Sequence, residues 1–209
     1  MNKYFKYVVL FLFPWAMGAN GALVEINPLS YSVLQATDCG SYCYHDETGS
    51  QLIDGLYGTH IWQADLGNGN AYEWLGWTDD SVYIVFDFGA LTMVNEIIVG
   101  TVQDRLNDVV FPSISVGTSV DGVTWGTPFH SLYVPENTAN NLVHGDLTLS
   151  ALNQTARYFV LNLEFSLDGP WTFTDEVDFY QNVSVSVPAP NSFVLLTLGL
   201  AILGLRRKR

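Results

Sequence analysis

The sequence predicts an all-β domain, and three observations carry that prediction. Apolar residues recur at every second position in residues 82–88 (Val82, Ile84, Phe86, Phe88). Residues 93–102 are rich in β-branched side chains and contain no proline. No amphipathic helix of useful length occurs between the two ends of the chain. At 209 residues there is room for one β domain of ordinary size and two short terminal segments.

Taken in order, residues 31–36 read as an edge strand. Residues 46–69 hold five glycines and no sustained periodicity, so they read as a long loop of the kind that displays a binding edge. Tyr72, Trp74 and Trp77 lead into the central strand, residues 82–88, where Tyr83 and Val85 fill most of the second face and little of either side is expected to be exposed. The link at residues 89–92 is short enough to bring residues 93–102 back beside it. Residues 113–119 form a further strand, and Asp121-Gly122 is a tight-turn signal returning the chain to Thr124 and Trp125. Residues 129–134, 147–149, 157–165 and 177–185 complete the strands, with a polar turn at 135–141 and a break at Asp168-Gly169-Pro170.

The ordered set Leu52-Ile53-Asp54-Gly55, Ile84-Val85-Phe86-Asp87-Phe88-Gly89, Ile97-Ile98-Val99-Gly100, Ser119-Val120-Asp121-Gly122-Val123-Thr124-Trp125, Ala156-Arg157-Tyr158-Phe159-Val160-Leu161 and Glu176-Val177-Asp178-Phe179-Tyr180 resembles the discoidin, or coagulation factor 5/8 type C, family over about residues 50–181. That resemblance implies a galactose-binding-like jelly-roll β-sandwich, here spanning residues 23–186. It places Trp125 at a packing position of the core hairpin, and Trp62 one residue from another.

Each end carries an export feature. Residues 1–22 have a basic start at Lys3 and Lys6, an apolar run at 7–15 and then small residues, the layout of a secretory signal peptide. The apolar run is well short of the roughly 20 residues that span a bilayer. At the other end Val187-Pro188-Ala189-Pro190 precedes an apolar segment, residues 192–205, and the basic tail Arg206-Arg207-Lys208-Arg209. The prolines end any β structure, the apolar run suits a membrane helix, and the cations hold the tail on the cytoplasmic side. Residues 187–209 resemble the PEP-CTERM sorting signal of exosortase substrates, with Ala189 where that signal usually has glutamate. A plain tail anchor is the other reading.

Six of the eight lysines and arginines lie in these ends, which leaves Arg105 and Arg157 against all 21 acidic residues, a body charge of about −19. Such a surface repels phosphate backbones and anionic membranes, so nucleic acid is not an expected partner. Cys39 and Cys43, close together in an exported chain, favour a small-loop disulfide over a zinc site. The four histidines, His45, His60, His130 and His144, form no metalloprotease pair, and no nucleophile elbow, P-loop or dinucleotide fingerprint occurs. Asp79-Asp80, as neighbours on a strand, would point to opposite faces and do not make a cooperating dyad. A non-catalytic protein is expected.

The resemblance also implies where binding would occur. Relatives in the galactose-binding fold carry a structural calcium whose ligands correspond to Asp54, Thr59 and Glu176, with backbone carbonyls of residues 55–58 completing a hard-oxygen shell. The alternative is that Asp54 caps a turn and Glu176 faces water. Glycans bind at the loop edge, by aromatic stacking and polar contacts. Trp74, Trp77 and Trp171, with Arg105 and Asp108, are the candidates; Trp62 and Asn107 lie nearby in sequence. The expectation is an exported surface or matrix protein, anchored in the inner membrane before processing, that binds exopolysaccharide or cell-surface glycan. The alternative is a structural or adhesive matrix protein with no defined glycan site. Surface exposure of Trp74, Trp77 and Trp171 would favour the first, and their burial the second.

Overall fold

A computed structural model describes residues 21–34, 44, 46, 48–64, 73–78, 81–133, 142–164 and 171–184. The expected signal segment (residues 1–22, apart from Gly21 and Ala22), both cysteines, Asp79-Asp80 and the 187–209 segment lie outside these residues. Residues Leu23–Asn182 form one compact unit.

Among the described residues ten strands make two five-stranded sheets: β1 (Gly21–Glu25), β2 (Ser30–Leu34), β3 (Leu75–Trp77), β4 (Ser81–Val94), β5 (Glu96–Asp104), β6 (Ser113–Ser119), β7 (His130–Leu132), β8 (Leu142–Leu149), β9 (Gln154–Glu164) and β10 (Thr172–Ser184). One sheet runs β1-β10-β5-β8, with β3 also on β10, and the other runs β2-β4-β9-β6-β7. As expected for the 31–36 segment, β2 is an edge strand. From β4 onward the chain changes sheet at almost every step, and only β6 and β7 are consecutive strands that pair.

The alternation that predicts the central strand is what builds the core. Val82, Ile84, Phe86 and Phe88 of β4 point inward with Ile114 and Val116 of β6 and Phe159, Leu161 and Leu163 of β9. They meet Ile97, Val99, Val177 and Phe179 from the opposite sheet. Phe179 is the hub, with ring centroids 4.9 Å from Phe86, 5.1 Å from Phe88 and 6.2 Å from Phe159. Such edge-on contacts add to the gain from burial alone.

Two sequence expectations are corrected. Residues 89–92 are not a link returning the chain beside β4; they belong to β4 itself, in a bulge, after which Thr92–Val94 resume pairing with β9. The chain then crosses to the other sheet at Asn95, so β4 and β5 face one another across the core. Asn95 is buried, and the corner satisfies it fully. Its N–H donates to Tyr180 O and its C=O accepts from the Leu152 N–H. Its side chain bonds Asn153 at 2.6 Å and accepts from the Asn182 N–H at 2.7 Å. Nor does the Asp121-Gly122 turn lead directly into a strand at Thr124 and Trp125. The returning strand is β7, and residues 120–129 form a loop between β6 and β7.

Candidate functional site

Three of the five glycan-candidate residues come together at one edge. β5 ends at Asp104, a single 3-10 turn follows at Arg105–Asn107, and Asp108 closes it in the left-handed region (φ 60°). The turned-back chain then runs beside Trp171: the Trp171 N–H donates to Asp108 O (3.1 Å) and the Val110 N–H donates to Trp171 O (2.9 Å). Arg105, Asp108 and Trp171 therefore share one loop edge. Asp104 braces it from beneath, its Oδ2 accepting from Asn107 Nδ2 (2.7 Å) and Trp62 Nε1 (3.2 Å).

Behind this edge is an aromatic cluster separate from the main core. Trp171 stacks on Phe173 (5.6 Å, 20°), and Tyr44 meets the two rings edge-on at 5.7 and 4.8 Å. Trp62 completes it, 4.7 Å from Phe173. Trp62 and Phe173 are buried, whereas Trp171 and Tyr44 are half-exposed. Trp171 is thus a ring held in a fixed orientation with part of its surface left to solvent.

Trp74 and Trp77 are placed differently from the expectation. Trp74 is 2% exposed and Trp77 7%, and neither ring offers a face to a ligand. Trp74 lies against the Cα of Gly58, where a Cβ would come within 2.4 Å of the ring; it donates to His60 O and meets His144 edge-on at 5.1 Å. Trp77 packs in the main core. Each is drawn inward because a large ring gains more from burial than from a loop position. Trp125, expected to pack, is half-exposed and touches Tyr158.

The residues expected to hold calcium are only partly brought together. The Gly55 N–H donates to Glu176 Oε2 (3.2 Å), and the Asp54 and Glu176 carboxyls are close enough to influence one another's ionisation. Thr59 is engaged elsewhere: its Oγ1 donates to Glu73 Oε1 (3.0 Å) and contacts His60 Nδ1 (3.1 Å). Around the Asp54–Glu176 pair lie carboxylates that the sequence reading did not single out. Asp175 is wholly buried and accepts from the Gly58 N–H (2.7 Å), the Glu176 N–H (2.9 Å) and His144 Nε2 (3.2 Å). Asp178 accepts from Tyr57 Oη at 2.6 Å. The loop of residues 54–58 is thereby pinned to β10 by carboxylates.

Burial dominates the electrostatics here. It raises Glu176 to about 8, helped by the negative charges of Asp178, Asp54 and Asp175. It also raises Asp175, Asp178 and Asp54, against opposing hydrogen bonds from Gly58, Tyr57 and Leu56 respectively. Burial and the neighbouring charges thereby favour the protonated form of Glu176. Among the described residues no three His, Cys, Asp or Glu side chains have metal-holding geometry. The donor chemistry of Asp54 and Glu176 fits a hard divalent ion, which would neutralise the crowded carboxylates; Thr59 does not join them. The signal for the wider cluster was legible as Asp175-Glu176-Val177-Asp178, three acids inside a strand, where buried charge demands partners.

No family model and no curated protein matches the sequence. Solved structures do. A truncated AlyQ with CBM32 and alginate lyase domains is similar at TM-score 0.51 and 16% identity, over 80% of this chain and 35% of that one. This chain spans about a third of that protein's length. The CBM32 of AlyQ in complex with 4,5-unsaturated mannuronic acid aligns at TM-score 0.47 and 17% identity, over 75% of this chain and 97% of that one. The chain shares the fold of the first of these CBM32-containing structures, an all-β sandwich as the ordered motifs lead one to expect. A pectin binding carbohydrate binding module also aligns, at TM-score 0.46 and 15% identity over 77% of this chain and 94% of that one.

Proposed function

We propose that this chain is an exported, non-catalytic surface or matrix protein that binds polysaccharide through the loop edge carrying Arg105, Asp108 and Trp171. The carrying observation is the half-exposed Trp171 ring, fixed by Phe173 and Tyr44 and bordered by the 105–108 turn. A rigid ring stacks on the apolar face of a sugar at little entropic cost, and neighbouring charged groups bond its hydroxyls. The CBM32 fold is consistent with that role. Asp54 and Glu176, with carbonyls of the 55–58 loop, would hold a structural calcium that fixes this loop against β10. The 1–22 and 187–209 segments support export, anchoring in the inner membrane and processing by an exosortase, with delivery to the cell surface or matrix.

Burial of Trp74 and Trp77 favours the second reading, a structural matrix protein whose sandwich is an acidic spacer. A glycan array and polysaccharide pull-down of the full-length chain in mild detergent, with calcium and with chelator, separates the two. Binding that Trp171→Ala abolishes supports the edge site. A folded protein that retains no glycan under either condition supports the spacer.

A further inference from the structure

The outer face of the β2-β4-β9-β6-β7 sheet carries a second aromatic platform. Ala156 and Phe159 of β9 point into the core, while Arg157 and Tyr158 both stand on the outside, opposite the β4 bulge. Arg157 Nε and Nη2 donate to Asp87 Oδ1 and Oδ2, each at 2.8 Å, a planar two-bond pair. The Arg157 guanidinium carbon lies 4.8 Å from the Tyr158 ring centroid. Trp125 extends the surface, its ring 6.5 Å from Tyr158 at 66°.

The loop presenting Trp125 is held in place before any ligand arrives. Asp121 Oδ1 accepts from the Val123 and Thr124 N–H groups (2.9 and 2.8 Å), and Ser119 Oγ accepts from the Gly122 N–H (2.9 Å). The Gly126 and Phe129 N–H groups donate to Thr118 O and Val116 O across the strand. Val120, Val123 and Phe129 are exposed on the same loop. A fixed loop with half-exposed rings beside a planar donor–acceptor pair has the elements of sugar recognition: ring faces for C–H groups, and Arg and Asp for adjacent hydroxyls. Charge selects the ligand. Asp87 already occupies Arg157, and the body carries about −19, so an anionic chain is disfavoured.

We propose that Trp125, Tyr158 and the Arg157–Asp87 pair form a second binding surface, on the opposite sheet from Trp171, for a neutral, hydroxyl-rich saccharide. It does not require the Trp171 edge to bind sugar. The test is native affinity electrophoresis of the full-length chain in mild detergent, through gels containing galactan, glucomannan or arabinoxylan, with alginate as the anionic comparison. Trp171→Ala removes the edge ring. In that background Trp125→Ala is expected to weaken retardation by at least one neutral polysaccharide about tenfold, and Trp125→Phe to keep most of it. Equal retardation with and without Trp125, or no retardation by any neutral polysaccharide, overturns the second surface. Wild-type retardation of Trp171→Ala on every gel counts instead against the edge site. Arg157→Gln leaves both rings in place and repeats the test should Trp125→Ala alter the melting curve.

Discussion

Glu176→Gln tests how the carboxylate cluster raises the pKa of Glu176. Glu176 ionises near 4.5 when exposed and near 8 in the folded chain, because burial and the charges of Asp178, Asp54 and Asp175 oppose its ionisation. Between those values the folded state binds one more proton than the unfolded state, so stability falls as pH rises from about 4.5 to about 8. The full shift corresponds to at most about 5 kcal/mol, and relaxation of the cluster brings the expected loss to roughly 2–3 kcal/mol. Urea unfolding followed by tryptophan fluorescence, in chelator from pH 5 to pH 8.5, measures it. Asp46, Glu73 and Asp87 are held below their ordinary values by hydrogen bonds, so their contribution is lost only at more acid pH, whereas Asp54, Asp175 and Asp178 are raised by burial and add to the fall in stability. Glu176→Gln should make the profile shallower, leaving the part due to Asp54, Asp175 and Asp178, and make the protein more stable than wild type at pH 8. Wild-type stability independent of pH across the window, or a slope that the substitution leaves unchanged, refutes the assignment. If calcium binds here, adding it at pH 8 to a hundredfold excess over its dissociation constant should restore about 2.7 kcal/mol to the wild type and much less to Glu176→Gln.

Other outcomes follow from packing. Phe179→Ala opens a cavity among Phe86, Phe88 and Phe159 and should lower unfolding stability by about 3–5 kcal/mol in urea titrations. At Gly100 a Cβ would lie 2.0 Å from Asp175 Oδ1, so Gly100→Ala must displace a fully buried carboxylate from its partners; thermal melts should show a loss of about 2–4 kcal/mol. Trp74→Ala should cost about 3–5 kcal/mol, whereas Trp171→Ala, at a partly buried ring, should cost clearly less while weakening glycan retention through the edge site.

The strands were legible where one face of a segment meets the core. Residues 82–88 and 113–119 show this, because their alternation is the burial pattern itself. What a local pattern cannot show is which sheet a strand joins. The crossing at Asn95 depends on partners at Leu152, Asn153, Tyr180 and Asn182, all more than fifty residues away. The edge residues Arg105, Asp108 and Trp171 could be guessed as loop residues beside strand ends, but their meeting rests on backbone pairing across sixty residues. Tryptophan exposure was the least readable feature. Trp74 and Trp125 sit in equally polar neighbourhoods of sequence, and only the space beside Gly58 draws the first inside.

β10 ties the proposed edge to the carboxylate cluster. Its first half is buried on both faces between β3 and β5, and it supplies Phe173, Asp175, Glu176 and Asp178 directly after Trp171, all within eight residues. The irregular register between Thr174 and Val177 separates the aromatic end from the acidic end. The acids hold the 54–58 loop, and Gly58 of that loop also seats Trp74 against His144. Neutralising the cluster should therefore stabilise the loop without moving Trp171, whose ring is fixed by Phe173 and the 108–110 backbone. Calcium, if bound, then acts on glycan affinity only indirectly. Titrating polysaccharide against Glu176→Gln should give nearly the wild-type affinity with chelator present, whereas a loss as deep as that of Trp171→Ala would mean that the acids themselves touch the sugar.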